Sequence, residues 1–329
     1  MRIVRALVLG LTSLCVALGV GWSVLAIWFD GPSSRSIATG LILLMLISIV
    51  IAFSKARNTR RGLAASFAIV IAVGLWWSTL APSNDRRWRP DVAMLPDATF
   101  DASEVTIHNL RAFKYRSEND FDQKWETRTY DLDKVSGVDL FLCFWGPTAI
   151  AHTIVSWEFT DGQHLAISIE TRKTVGQEYS AIRGFFRQYE LYYVVADERD
   201  VVGLRTNFRG ERVYLYRLRV PPADARLLLI DYLQKINDLK NHPEWYNALT
   251  TNCTTTIRTH TKDIGVAQRL DWRLLANGYI DSLLYERGQI NPAISLSELR
   301  LRSDITARAI AADDAADFSS RIREGLPAR

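Results

Sequence analysis

The chain has 329 residues, of which 48% are apolar and 23% are charged, so it is neither a disordered nor a fibrous protein. Its net charge of +4 is unevenly distributed: residues 1–90 carry ten Lys or Arg and two acids, whereas residues 91–329 carry 30 basic and 34 acidic residues. The basic excess lies beside the apolar N-terminal runs, which argues against nucleic-acid binding. Three Cys without a CxxC motif exclude a disulfide scaffold and a thiolate zinc site, and neither a metal nor another cofactor is expected.

Three uncharged apolar runs open the chain, at 6–28, 37–53 and 63–80. A membrane-spanning helix needs about 20 apolar residues, and about 17 at the least. The runs therefore predict three transmembrane helices within a membrane anchor that covers 1–81. The alternative for the first run is a cleaved signal peptide, but this run is longer than the usual ~7–15 apolar residues of a signal.

Loop charge predicts the orientation of the anchor. Arg2 and Arg5 precede the first run, and four basic residues lie in the loop 55–61 between the second and third runs. Because cytoplasmic loops are rich in Lys and Arg, both segments are expected in the cytoplasm. Three crossings then place residues 81–329 on the outer side of the membrane.

A proline-containing linker is predicted at 82–99, and beyond it strands alternate with helices, which favours an α+β domain over 100–265. An Asp161-Gly162 pair between two apolar segments predicts a β-hairpin. Residues 266–329 form a predicted C-terminal extension that is helical or irregular and ends in a polar segment suited to disorder. The predicted strands are 105–113, 128–132, 138–145, 152–160, 164–171, 190–196 and 212–220, and the predicted helices are 180–188, 221–240 and 253–264, the last ending at Gly265.

The strongest chemical candidate is Cys253. The sequence contains no HExxH, GxSxG, Walker or dinucleotide-binding glycine motif. Thr251 or Asn252 is a good N-cap, so Cys253 is expected in the first turn of its helix, where the helix dipole stabilises a thiolate. The backbone N–H groups there, including that of Thr254, are candidate oxyanion donors. The alternatives are a buried structural cysteine and a disulfide with Cys143.

A thiolate nucleophile needs a base, and His152 is predicted to be that base because it opens a core strand. His260 lies seven residues along the Cys253 helix, ~10 Å away, which is too far for a direct hydrogen bond. A two-residue hairpin loop would pair His152 with Thr171 and leave Glu170 diagonally within reach, so Glu170 is predicted to orient the imidazole. For His152 the alternative is a strand-end His with a structural hydrogen bond, and for Glu170 it is a solvent-facing acid.

Two arginines, Arg172 and Arg187, are candidate contacts for a phosphate group. Their alternative role is in surface ion pairs, which is the commoner state of isolated arginines.

Several of these segments together resemble a known family, the Lnb N-terminal periplasmic domain family, over roughly 100–265. The resemblance rests on the set of motifs, because each is weak by itself. The motifs are the strand start at His152-Thr153, the segments 168–173 (SIETRK) and 185–191 (FFRQYEL), Trp245-Tyr246, and 252–255 (NCTT).

The resemblance implies a circularly permuted papain-like (NlpC-like) fold, in which the His strands precede the Cys helix as His152 precedes Cys253. It implies a lipoprotein N-acyltransferase with Cys253 as nucleophile, His152 as base and, less directly, Glu170 as the orienting residue. The acyl chain would pass from a phospholipid, through a thioester on Cys253, to the N-terminal amine of a lipoprotein. The expected location is the bacterial inner membrane, with several passes and a periplasmic or extracytoplasmic catalytic domain.

Two other functions fit the same residues. A papain-like hydrolase of peptide, cell-wall amide or lipid ester bonds would share them and differ only in the acyl acceptor. A non-enzymatic, anchored binding domain would be favoured by a Cys143–Cys253 disulfide or by a remote His152. An apolar, lipid-sized channel beside Cys253 that opens toward the membrane would favour transfer, whereas a polar cleft facing away from it would favour hydrolysis of wall or peptide bonds.

Overall fold

The computed structural model describes residues 1–263 and 271–329, and it divides into two compact units. The first unit comprises Met1–Ser83 together with Tyr179–Tyr189, and the second comprises Asn84–Glu178 together with Glu190–Arg329. The second unit mixes strands and helices, so the predicted α+β class is confirmed.

The first unit contains three long apolar helices: α1 (Arg2–Asp30), α2 (Arg35–Lys55) and α3 (Thr59–Ser78). Each is long and apolar enough to cross a membrane, as the three uncharged runs predict. At most of their ends the helices are longer than the predicted apolar runs, because their hydrogen-bonded turns continue into the polar residues on either side. The Asn58 side chain, for example, caps α3 by accepting the N–H of Arg61 at 3.0 Å.

The first unit also contains the eleven-residue segment Tyr179–Tyr189, which lies in sequence between two strands of the second unit. The predicted helix at 180–188 is wrong, because only a single 3-10 turn forms there, at Arg183–Phe185. The segment instead uses its polar groups to contact the C-terminal ends of α1 and α3. The Asp30 carboxylate accepts the N–H of Arg187 at 3.1 Å, the Gln188 side-chain amide at 2.7 Å and the Trp77 indole N–H at 2.7 Å.

The second unit is built on an eight-stranded sheet in the described part of the chain, with the strand order β1-β2-β9-β8-β7-β6-β10 and with β5 paired to β2. Neighbouring strands are antiparallel except β2 and β9. The strands are β1 (Asp97–Asp101), β2 (Glu104–Arg111), β3 (Lys114–Tyr115), β4 (Phe121–Asp122), β5 (Trp125–Asp131), β6 (Val135–Phe144), β7 (His152–Phe159), β8 (His164–Arg172), β9 (Glu190–Ala196) and β10 (Arg212–Leu218). The helices are α4 (Glu198–Gly203), α5 (Pro222–Asn241), α6 (Cys253–Asp263), α7 (Ile280–Glu286), α8 (Leu296–Ser303), α9 (Thr306–Ala312) and α10 (Phe318–Arg321), and Leu204–Phe208 form a π-helical turn after α4.

The predicted linker at 82–99 is largely part of the second unit. Pro90 begins a 3-10 turn whose Val92 is 1% exposed, and β1 starts at Asp97. Trp88 forms an isolated bridge with Thr174. Because proline fixes its own φ angle, Pro90 suits the packed 3-10 turn that it begins.

The hairpin of β7 and β8 differs from the prediction by one residue. Ile154 pairs with Ser168, and the N–H of Phe159 bonds to the carbonyl of Gln163 at 3.0 Å, so the loop has three residues rather than two. Gly162 takes a left-handed φ of +84°, as such loops require. Because a slip of one residue moves a side chain to the other face of a sheet, this register places Glu170 on the same face as His152.

Helices cover both faces of the sheet. One face carries Cys143 and Ile154 and forms a core with residues of α4 and α9, while the other carries Trp157 and Tyr193, whose rings pack against Tyr232 of α5. Helix α6 begins at the predicted residue and runs to Asp263; its predicted end at Gly265 lies outside the described residues.

The predicted C-terminal extension packs into the second unit as well. Phe318 and Ile322 are buried in the core beside α4. The polar end is ordered, because its arginines neutralise buried acids. Arg323 bonds to Asp139 at 2.8 Å and to Glu198 at 2.6 Å, and both carboxylates are fully buried. A buried ion pair of this kind holds the end of the chain against the sheet.

Candidate active site

Cys253 is the first residue of α6 and is buried, with 7% of its surface exposed. Its Sγ lies 3.9 Å from the Thr254 hydroxyl and 3.8 Å from the Asn277 side-chain nitrogen. The Asn252 side chain caps the helix, because its Oδ1 accepts the N–H of Thr254 at 3.0 Å and that of Thr255 at 2.9 Å. Within the described hydrogen bonds the backbone N–H of Cys253 itself is unused, so it is better placed than that of Thr254 to bind an oxyanion.

Asn277 joins the Cys253 helix to the start of β7, and the sequence analysis did not find it. Its Oδ1 accepts the N–H of Ala151 at 2.8 Å, and its Nδ2 donates to the Ala151 carbonyl at 2.6 Å and to the Thr254 hydroxyl at 2.7 Å. The side chain is 6% exposed. One buried amide thus fixes the peptide before His152 and the first turn of α6 together.

A glycine is required next to this amide. The N–H of Gly278 donates to the Ala149 carbonyl at 3.1 Å, and a Cβ at position 278 would overlap the Thr148 carbonyl oxygen. The Asn277-Gly278 pair was the available sequence signal, although it lay in the predicted C-terminal extension.

The hydrogen bonds of His152 determine which ring nitrogen carries a proton. Nε2 lies 2.7 Å from the Ser168 hydroxyl, and Ser168 donates to Glu170 at 2.8 Å. Because the hydroxyl has only one hydrogen, Nε2 must be the donor to Ser168, which leaves the lone pair of a neutral ring on Nδ1. Burial and the cationic Arg205 lower the pKa of His152 to about 3, so the ring is neutral at pH 7.

Glu170 is held as a carboxylate by Arg205, a second residue that the sequence analysis missed. Arg205 lies in the π-helical turn after α4 and donates to Glu170 at 3.0 Å and to Glu211 at 3.2 Å. Burial opposes ionisation of Glu170, but the charge of Arg205 prevails and holds the pKa of Glu170 well below its usual range. Glu170 therefore acts on His152 through Ser168, which is 0% exposed.

The Asn277 amide contacts both Cys253 and Ala151, the residue before His152. A direct pairing of the Cys253 thiol with the His152 imidazole stays a prediction. The described hydrogen bonds take the Cys253 sulfur to Thr254 and Asn277, and the His152 ring to Ser168. Cys143 and Cys253 are both free thiols, so the disulfide that would favour a non-enzymatic domain is not formed. Burial raises the pKa of the Cys143 thiol to about 12, which makes it inert at neutral pH.

The two predicted phosphate-binding arginines are occupied within the protein. Arg172 is 2% exposed, donates to the carbonyls of Val92 and Ala93, and lies over the Trp88 ring at 4.1 Å. Arg187 donates to main-chain carbonyls at the end of α3 and lies over the Trp77 ring at 4.1 Å. Each guanidinium therefore already binds main-chain carbonyl groups, and a phosphate contact by either arginine stays a prediction.

A cavity of about 400 Å³ with both polar and apolar walls lies beside α6, between that helix, α5 and β9. Its walls include the threonines at 250 and 251, directly before the Cys253 turn, and Thr256 within α6. In residues 1–263 and 271–329, no group of three or more His, Cys, Asp or Glu side chains is arranged to hold a metal ion.

Residues 121–278 match the family model of the Lnb N-terminal periplasmic domain. This segment belongs to that family. It contains His152, Glu170 and Cys253, and it ends one residue after Asn277, beyond the limit of 265 predicted from the motifs. No curated protein and no solved structure matches the chain. The family and the three apolar helices together indicate a membrane-anchored protein with a periplasmic domain.

Proposed function

We propose that this Lnb-type domain is a thiol acyltransferase of the inner membrane with a permuted papain-like arrangement of His strands and Cys helix. The observation that carries the proposal is the Asn277 amide, which ties the N-terminus of the Cys253 helix to the strand that begins with His152. The Ser168–Glu170 pair orients the His152 ring and leaves its Nδ1 without a described hydrogen bond.

In the first half-reaction, His152 Nδ1 takes the proton of the Cys253 thiol, and the thiolate attacks the ester carbonyl carbon of a phospholipid. The N–H of Cys253 stabilises the oxyanion that forms. When the carbon–oxygen bond breaks, the leaving alkoxide takes the proton from His152, and a thioester remains on Cys253.

In the second half-reaction, the N-terminal amine of a lipoprotein attacks the thioester carbonyl. The new carbon–nitrogen bond forms, the amine gives a proton to His152, and the carbon–sulfur bond breaks. The Cys253 thiolate recovers that proton from His152, so the enzyme returns to its starting state and the product is an amide.

A papain-like hydrolase is the second candidate, and the observation that favours it is the cavity beside α6, which has acidic, amide and threonine side chains in its wall. A hydrolase would form the same thioester and release it to water. The two functions are therefore separated by the fate of the thioester and not by its formation.

Intact-mass spectrometry of the purified full-length chain in mixed micelles with phospholipid tests the proposal. We expect one acyl adduct on Cys253 that hydroxylamine removes, no adduct on Cys253→Ser, and at least a ~100-fold slower adduct on His152→Ala. His242→Ala is the matched control, since that side chain is 77% exposed. No adduct on the wild-type chain, or an equal adduct on Cys253→Ser, would refute the nucleophile.

A synthetic diacylated lipopeptide then distinguishes the two candidates. Transfer predicts an amide-linked third acyl chain on the lipopeptide as the adduct disappears. Release of free fatty acid at the same rate with or without the lipopeptide would show a hydrolase instead.

A further inference from the structure

The segment Tyr179–Tyr189 is bonded to the first unit at the level where its apolar runs end. Asp30, the last residue of α1, accepts the N–H of Arg187. The Arg187 guanidinium donates to the carbonyl of Leu80, the last residue of the third apolar run. Because the headgroup layer on each side of a bilayer is roughly 5–8 Å thick, a segment held at these two positions lies at the boundary between hydrocarbon and headgroups.

The composition of the segment suits this boundary. Its eleven residues include four aromatic side chains, two arginines and no acid. Aromatic rings are enriched at the interface between membrane and water. The charge of +2 is opposite to that of lipid phosphates, so the segment is complementary to a lipid surface in charge as well as in residue type.

The segment has one packed side and one exposed apolar side. Phe186 is 4% exposed, and its ring lies 5.1 Å from that of Phe29 at the end of α1. Tyr179, Ile182 and Phe185, which are spaced three residues apart, are 48%, 58% and 41% exposed. The apolar side that does not pack on the helix end is therefore open to whatever surrounds the anchor at this level.

The backbone of the segment is already paired, which is a separate requirement for contact with lipid. Four successive N–H groups, those of residues 184–187, bond to protein oxygens at 3.0, 3.2, 3.0 and 3.1 Å. The N–H of Ser180 donates to the Tyr189 hydroxyl at 2.9 Å. Backbone polar groups that enter a bilayer must be satisfied within the protein, and these are. The exposed side chains can thus meet lipid without bringing unpaired N–H groups with them.

We propose that Tyr179–Tyr189 is an interfacial membrane segment, with Ile182 and Phe185 inserted among the lipids beside the ends of α1 and α3. It adds a contact with the bilayer to those of the three apolar helices. Its continuity with the ends of those helices favours lipid as the occupant over a second copy of the chain or another protein. The proposal does not rest on the proposed function, because it involves neither Cys253 nor an acyl chain transferred to it.

Spin labelling of the full-length chain in nanodiscs of phosphatidylethanolamine and phosphatidylglycerol tests the insertion. Cys15→Ser and Cys253→Ala remove two of the three thiols, and the third, Cys143, is 0% exposed. A cysteine introduced as Ile182→Cys or Phe185→Cys therefore carries the nitroxide. Its collision rates are measured with oxygen, which dissolves in the bilayer, and with a polar nickel chelate, which stays in water.

We expect the ratio of oxygen to nickel collisions at both positions to be at least ~5-fold higher than in the control Ile310→Cys, because polar groups leave water at a cost. Ile310 is a matched isoleucine in α9, 50% exposed against 58% for Ile182. Leu44→Cys, within α2 and 62% exposed, gives the value for hydrocarbon. A ratio no higher than that of the control would overturn the proposal. Low collision rates with both reagents would also overturn it, since protein would then cover the segment.

A second measurement needs no nitroxide. Phe185 is replaced by the photoreactive p-benzoylphenylalanine, and the matched control carries it at Phe100 of β1, which is 38% exposed against 41%. After illumination, mass spectrometry of the intact chain should show a phospholipid adduct on the first variant and not on the second. Equal adducts on both, or a crosslink from position 185 to a second copy of the chain in place of lipid, would refute the insertion.

Discussion

Replacement of Asn277 by alanine should separate the role of this amide in stability from its role in catalysis. The substitution removes the partners of the Ala151 N–H and carbonyl and of the Thr254 hydroxyl. Ala151 is 1% exposed, so bulk water does not reach these groups in the wild-type fold. At about 1–3 kcal/mol for each unpaired buried group, the two backbone groups alone cost about 2–6 kcal/mol of folding free energy.

Asn237→Ala is a matched control, because Asn237 makes the same pair of bonds to a peptide far from Cys253. Its Oδ1 accepts the N–H of Ala98 at 2.8 Å, and its Nδ2 donates to the Ala98 carbonyl at 2.7 Å. Both variants should melt at a lower temperature than the wild-type chain. Only Asn277→Ala frees the first turn of α6 from the start of β7, so only that variant should form the Cys253 acyl adduct more slowly, by at least ~10-fold.

The assay combines thermal melts with the rate of adduct formation, measured well below the melting temperature of each variant. Alkylation of Cys253 by iodoacetamide gives a readout that does not depend on lipid. If both asparagine variants slow the adduct equally, or if neither does, the amide does not position the thiol and the reasoning fails.

Three further outcomes are expected. A cysteine placed in the loop 55–61 should resist membrane-impermeant thiol reagents in intact cells, while one placed near Asn84 should react. The reverse labelling pattern would invert the topology. Arg323→Met should lower the free energy of unfolding by about 3–5 kcal/mol, because it leaves the buried Glu198 without an ion-pair partner and Asp139 with Arg329 as its remaining close partner. The exposed Arg321→Met should cost at most about 1 kcal/mol, and equal losses in denaturant titrations would contradict this. Folding lowers the pKa of His152 to about 3, so between pH 3 and pH 6.5 the unfolded chain binds more protons than the folded chain. Acidification from pH 7 to pH 5 should therefore lower the free energy of unfolding of the wild-type chain by about 2 kcal/mol more than that of His152→Gln. Identical pH dependence of unfolding in the two chains would count against the buried neutral ring.

The sequence predicts best what depends on local composition. The three anchor helices follow from the length of their apolar runs, and the start of α6 follows from the capping residue Asn252. The strands of the core were also recognisable, because β-branched and aromatic residues are concentrated in runs of strand length. These features need no knowledge of distant contacts.

The errors concern features that only tertiary structure determines. The hairpin loop is one residue longer than its Asp161-Gly162 signal suggests, and that single residue decides whether Glu170 shares a face with His152. Asn277 is separated from its partner Ala151 by 126 residues, so no local pattern could connect them. Arg205 lies in an irregular π-helical turn, where periodicity gives no indication of which way a side chain points.

The discontinuous first unit limits how freely this protein can exchange parts in evolution or in the laboratory. The segment Tyr179–Tyr189 has Asp30 as a hydrogen-bond partner and the rings of Trp77 and Phe29 as contacts, and its own Ile182 and Phe185 are exposed. A fragment that starts at residue 84 would lack Asp30, Trp77 and Phe29, so water would replace the contacts of the segment with them. A chimera that replaces the anchor would have to carry the eleven-residue segment with it. The three apolar helices and this segment thus form one compact unit, although the segment lies in sequence between two strands of the other unit.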